Sequence, residues 1–261
     1  MKIREEKWKS QFNEIYLELY EHLQTDEISL DQVHAVQELL GINKGQKLLD
    51  ACCGQGRHLK EFLNLGIDAF GIEQSRSLVR HAVEKNNVPT ERLTCSDILQ
   101  LRPDGSFDFI VNLYTAFGFF DDPSNDQRAL KVMFDFLKPG GKLLLETVFA
   151  DREWHEHNSS IHPSGSQVTE TNKFDRETNT LSQVVCIINN EKSKRYFNTN
   201  VRAFNRSSIT RLFESVGFED CYVLNGFATN NPLFGHFTPL QKESVRIACI
   251  GVKPSAEGRQ S

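Results

Sequence analysis

The sequence predicts an α/β protein built on a doubly wound, mostly parallel sheet. Three observations carry that expectation. From Lys47 to about residue 150, short apolar runs alternate with amphipathic stretches, the texture of strands joined by right-handed helical crossovers. The first run ends in an acid followed by a glycine turn, LLDACCGQGRHL (48–59), the arrangement by which an open α/β sheet holds a nucleotide-like ligand at the carboxyl ends of its strands. Finally, 261 residues with 39% hydrophobic and 25% charged side chains suffice for one large core, and no apolar run approaches the ~18 residues of a membrane span.

Trp8, Phe12, Ile15, Tyr16, Leu19 and Leu23 recur at steps of three and four, which predicts an amphipathic helix whose other face is acidic. Ser29 with Gln32 three residues on reads as a capping box opening a second helix that stops near Gly41. KLLDAC (47–52) predicts a buried strand, GQGRHLKEFLNLG a turn and helix, and IDAFGIE (67–73) a second strand. SRSLVRHAVEKN follows as a helix capped by Ser75, then RLTCSD (92–97) and SFDFIVNLY (106–114) as strands. PSNDQRALKVMFDFL is the next helix, and KPGG (138–141) a tight turn into a fifth strand, KLLLETVF (142–149).

After Ala150 the alternation stops. Turn clusters at 175–180 and 189–193 separate LSQVVCII and RYFNTNVRAF, predicting an antiparallel insertion over 151–205. SSITRLFESVGF (207–218) returns to helix, stopped by Gly217, and CYVLNGF (221–227) with VRIACIGV (245–252) predicts an antiparallel pair. The expected organisation is one domain over 1–253: helical segment 1–43, core 44–150 and 206–253, insertion 151–205, with 254–261 as a disordered tail.

The chemistry is expected at the first turn. Gly54 and Gly56 let backbone approach a ligand closely, and Glu73, nineteen residues after Gly54, ends the second strand where a carboxylate takes ribose hydroxyls. A dinucleotide fingerprint wants a third glycine where Leu59 stands, which disfavours a nicotinamide cofactor. A nucleoside with an amino-acid tail needs an acid near its ammonium, and Asp50 is placed for it. Duller readings stand beside these: Asp50 as a cap for the following helix, Asp97 as a turn residue, Cys52 and Cys53 as small packing residues.

LLDACCGQG, GIEQS, CSDIL, FDFIVNLYTAFGFF and LKPGGKLLLE, in that order, resemble the class I S-adenosylmethionine-dependent methyltransferase family, strongly over 44–150 and more loosely over 206–253. The resemblance implies a Rossmann-like seven-stranded sheet whose last strand runs antiparallel. It implies S-adenosylmethionine as cofactor, with Asp50, Ala51, Cys52, Gly54, Gly56, Glu73, Gln74, Asp97, Ile98 and Asn112 around it, Asp97 at the adenine amino group and Ile98 on the adenine face. Cys52 stands where the family loop commonly has its first glycine. The resemblance further implies that the N-terminal helix closes over the donor. Tyr16, Tyr20, Tyr114 and Phe117 are the expected acceptor contacts, although such aromatic runs equally serve a core.

The expected reaction is methyl transfer to N or O of a small molecule, amine-bearing ones included, by in-line displacement. A methyltransferase for protein or RNA, and a non-catalytic cofactor binder, are the alternatives. No catalytic residue is assigned; His155, His157, His162 and His236 are candidate bases. The first 40 residues hold nine acids against four bases, so the whole net charge of −5 belongs to them, and no basic excess marks a nucleic-acid binder. NLYT lacks the prolines of the [DN]-P-P-[FYW] motif, and no Pro-Cys pair suggests cytosine C5 chemistry. This charge, on the segment expected to close the site, suits a cationic acceptor. Six cysteines show neither zinc spacing nor a disulfide framework, and MKIREEKWKS lacks an apolar signal core, so a cytoplasmic setting without metal or membrane is expected. Oligomeric state is left open.

Overall fold

Strands buried on both faces need continuous apolar sequence, and the runs at 47–51, 107–112 and 143–148 supply it. The computed structural model describes residues 12–227 and 236–255. In chain order, α1 (Glu14–Tyr20) and α2 (Asp26–Leu40) precede β1 (Lys47–Ala51), α3 (Arg57–Asn64), β2 (Asp68–Glu73), α4 (Arg76–Glu84), β3 (Leu93–Cys95), β4 (Phe107–Asn112), α5 (Ser124–Phe136) and β5 (Leu137–Val148). There follow β6 (His157–Ile161), β7 (Gln167–Asp175), β8 (Thr180–Ile188), β9 (Lys194–Arg202), α6 (Arg206–Val216), β10 (Glu219–Asn225) and β11 (Arg246–Val252).

The main sheet has the order β10-β11-β5-β4-β1-β2-β3. β11 alone runs against its neighbours, pairing antiparallel with both β5 and β10, so the expected Rossmann-like sheet with its antiparallel last strand is present. Both faces are covered. Val33, Val36 and Leu40 of α2 pack with Leu59 and Phe62 of α3 against Leu48, Phe109 and Val111. On the opposite face Leu130 and Met133 of α5 and Phe213 of α6 pack against Leu49, Ile110 and Leu143. Among the described residues no helix is long and apolar enough to cross a membrane.

Four expectations are corrected. α2 starts at Asp26 under Thr25, whose side chain accepts the Ile28 N–H at 3.3 Å; Ser29 and Gln32 lie inside the helix, buried, and cap nothing. α1 covers Glu14–Tyr20 under an Asn13 cap, and Trp8 lies outside the described residues. KPGG belongs to β5, where Gly140 at φ +78° donates to Lys253 O and the Lys253 N–H returns to Gly141 O. The insertion forms four antiparallel strands, β6-β7-β8-β9, instead of two. Its inner face, Val168, Val185, Ile187 and Phe197, packs on Leu19 of α1. Most of the expected tail, 256–261, lies outside the described residues.

Candidate active site

A cavity of about 460 Å³ opens above the carboxyl ends of β1, β2 and β4, roofed by α1 and the insertion sheet. Its floor is the first turn. Cys52 sits at φ +61°, in the left-handed region that a glycine adopts freely, which accounts for the glycine usual at this place. Gly56 shares that conformation at φ +72°, and an added Cβ would meet Ala82 and Val88 at 3.0 Å.

Glu73 locks this turn to β2. One carboxylate oxygen accepts the Gly54 N–H at 3.0 Å and the other the Ser75 N–H at 2.7 Å. Each oxygen keeps a further lone pair for an outside hydroxyl. Asp50 is 2% exposed and its Oδ2 has no hydrogen-bond partner among the described residues. Burial pushes its carboxyl up to about 8, Arg57 opposing and Glu73 adding to the shift. It caps nothing: the residue before α3 is Gly56, without a side-chain cap. Asn112 donates to Ala51 O at 2.8 Å, and its own buried Oδ1 has no partner among the described residues. Asp97 is the turn residue of the duller reading, accepting the Leu99 N–H at 3.0 Å, and it also lines the cavity.

The opposite end is aromatic. Tyr16 and Tyr20 from α1 stand beside Phe197, with ring centroids 6.2 and 6.1 Å away, and burial raises both phenols, keeping them protonated. Tyr114, at φ +58° just past β4, lies under two guanidinium groups, Arg57 at 4.5 Å and Arg246 at 4.2 Å from its ring centre. Glu146, fully buried, holds this end together by accepting the Tyr114 N–H at 2.5 Å and the Phe227 N–H at 2.6 Å.

Of the expected residues, Asp50, Cys52, Gly54, Glu73, Gln74, Asp97, Ile98 and Asn112 line the cavity, as do Tyr16, Tyr20, Tyr114 and Phe117. Ala51 and Gly56 do not; they shape the floor from beneath. None of His155, His157, His162 and His236 lines it, and His236 is engaged with Asp31 at 2.8 Å. Burial raises the Cys52 and Cys53 thiols, so both stay protonated. The described N-terminal acids face outward: Glu18 bonds Arg195, Glu21 pairs with His81 and Asp26 with Lys60. Their charge therefore does not enter the cavity. Sequence reasoning missed Arg57, His58, Glu170 and Arg246. Only Ser29 and Gln32, polar on an otherwise apolar helix face, hinted at the first two: Arg57 Nη1 donates to them at 3.1 and 2.6 Å, and His58 Nε2 meets Gln32 at 2.8 Å.

A family model described as a methyltransferase domain matches residues 20–223. The chain belongs to the S-adenosylmethionine-dependent methyltransferase family. The chain is 27% identical over 103 residues to dTDP-3-amino-3,4,6-trideoxy-alpha-D-glucopyranose N,N-dimethyltransferase of Streptomyces venezuelae, a match spanning 40% of this chain and 43% of that enzyme. Its fold is shared with an S-adenosylmethionine-dependent methyltransferase of Clostridium acetobutylicum (TM-score 0.70, 15% identity, 95% of this chain and 100% of that one). It is also shared with CalS10 of Micromonospora echinaspora, an amino pentose methyltransferase solved with the cofactor bound (TM-score 0.67, 20% identity, 92% and 96%).

The methyltransferase's own atoms fit such a donor. The unpartnered Asp50 Oδ2 and Asn112 Oδ1 are buried acceptors beside one another's strands, as an ammonium and its neighbours require. The spare lone pairs of Glu73 suit a vicinal diol, and Ile98 offers an apolar face at the cavity wall.

Proposed function

We propose that this methyltransferase moves a methyl group from S-adenosylmethionine to a nitrogen or oxygen of a small molecule, amine-bearing acceptors included. One observation carries the reading: the donor-side residues and an aromatic wall face each other across a single cavity of about 460 Å³, a volume suited to small molecules. In this reading Asp50, Cys52, Gly54, Glu73, Gln74, Asp97, Ile98 and Asn112 hold the donor, with Ala51 and Gly56 shaping its bed. Tyr16, Tyr20, Tyr114 and Phe117 contact the acceptor.

The bound donor supplies an electrophilic methyl on a sulfonium. The protein's contribution is alignment and exclusion of water, since in-line displacement gains most from positioning and preorganised electrostatics. Phe12, Tyr16 and Tyr20 roof the cavity from α1 and the residues before it, and Phe119 meets Phe12 edge-on at 5.1 Å. His58 is kept neutral by burial and is committed to Gln32, so it serves packing. Glu170, on the acceptor side facing Tyr20, is the carboxylate placed to meet an amine or receive its proton.

Incubating the protein with methyl-labelled S-adenosylmethionine and a cell extract, then separating by size, tests the reading. Label is expected in the small-molecule fraction. Label confined to protein or RNA, or no transfer from a protein that binds the cofactor, would overturn it.

A further inference from the structure

Arg57 opens α3 at the wall of the cavity. Its side chain is buried, with the residue 7% exposed, and lines the cavity. Nη1 is held by two neutral groups, Ser29 Oγ and Gln32 Oε1. Nη2 is buried without a hydrogen-bond partner among the described residues, and none of the described ion pairs includes Arg57. A guanidinium in this position is a buried cation with an open donor, which folded proteins avoid unless something completes it.

The acids around it do not complete it. Glu146 has both oxygens on backbone N–H groups of Tyr114 and Phe227, and Asp50 is turned toward protonation by its own burial. The groups beside Arg57 donate instead. The Tyr16 and Tyr20 hydroxyls, held protonated, line the same end, and Arg246, 4.2 Å from the Tyr114 ring centre, has its Nε on Thr115 Oγ1 at 3.1 Å and Nη1 on Phe227 O at 3.3 Å. Arg57 also belongs to the acceptor half by contact, stacked on Tyr114.

We propose that the acceptor carries an oxyanion, a carboxylate or phosphate, received by Arg57 Nη2 with the Tyr16 hydroxyl beside it. The inference rests on the methyltransferase reading and narrows its substrate: an anionic group at the Arg57 end, the methylated atom toward the donor. Recognition is charge-assisted and points from a fixed guanidinium, so it selects acceptors by the distance between oxyanion and methylated atom.

The test uses inorganic phosphate as the probe, titrated at constant ionic strength into full-length protein saturated with S-adenosylhomocysteine. Wild type is expected to bind phosphate. Arg57→Met is expected to weaken it about tenfold or more, because a hydrogen bond to a charged group is worth ~1.5–3 kcal/mol, and Arg57→Lys to recover part of the loss. Circular dichroism and melting identify any variant that fails to fold. Phosphate that does not bind the saturated wild type overturns the proposal without any variant, and so does equal binding by folded Arg57→Met. Phosphate bound only when S-adenosylhomocysteine is absent, with Arg57→Met weakening S-adenosylhomocysteine itself, also overturns it, since the donor's own carboxylate then occupies Arg57. Failure of wild type to bind S-adenosylhomocysteine defeats the methyltransferase reading instead, and phosphate binding to that unliganded protein still reports on Arg57.

Discussion

If Asp50 receives the donor's ammonium as proposed, donor binding is a proton-release reaction. In the unliganded protein this carboxyl is 2% exposed with one oxygen unpartnered, and burial lifts it to about 8. At pH 7 roughly nine in ten molecules therefore carry the proton. An ammonium brought against Asp50 favours the carboxylate, so S-adenosylhomocysteine binding should expel close to one proton near neutrality, and its affinity should rise about tenfold per pH unit below 8 and level off above. Titration calorimetry in two buffers of different ionisation heat, from pH 6 to 9, reads both effects. The folded group sits above its unfolded value of 3.8. Unliganded stability therefore falls as pH rises from about 4 to 8, by up to ~1.4 kcal/mol per unit. Asp50→Asn removes that slope, stabilises the unliganded protein at pH 8 by a few kcal/mol, and weakens S-adenosylhomocysteine roughly 10–100-fold there, since a charged hydrogen bond is worth ~1.5–3 kcal/mol. Buffer-independent heats together with flat affinity between pH 6 and 8 would refute the reasoning.

Glu146→Gln leaves one carbonyl oxygen where two backbone N–H groups converge and turns an amide N–H toward the other. A stability loss of ~2–4 kcal/mol is expected by denaturant titration, and an unchanged midpoint would show that the Tyr114 and Phe227 backbones do not depend on it. Gly118 has φ +99°, and an added Cβ would stand 2.5 Å from Arg202 O. Gly118→Ala should therefore separate the turn after β4 from β9 and cost at least ~2 kcal/mol; a melting temperature equal to wild type would contradict the close approach.

The core was legible because its strands are buried on both sides, and KLLDA, FDFIVN and LLLETV can be read as little else. The insertion was half legible. β8 carries Leu181, Val185 and Ile187, but HNSSI is exposed at every residue and QVTETNKFD hides its alternation under polar side chains, so neither announces a strand. The proposed donor half of the site lies within local motifs, from Asp50 to Asn112, and reads along the chain. The acceptor half does not. Arg57 and Arg246 meet over Tyr114 because β11 inserts beside β5, a pairing between residues about a hundred apart. Ser29 and Gln32 were misread for a related reason: at S-x-x-Q spacing a capping box and a buried pair awaiting an arginine look alike until the helix start is known. The N-terminal acids that are described, from Glu14 onward, lie on the outer face, which net charge alone does not reveal.

The insertion also equips the protein with an optical reporter. Of the two tryptophans in the chain, Trp154 lines the cavity, stacked on Phe174 at 5.7 Å with Arg152 4.5 Å above its ring. Its indole N–H is buried and has no acceptor among the described residues. Indole emission follows the polarity and hydrogen bonding of its surroundings. Occupation of the cavity therefore becomes visible as a shift in intrinsic fluorescence, with Trp8→Phe removing the second emitter, and acceptor libraries can be screened on unlabelled protein before any product is known.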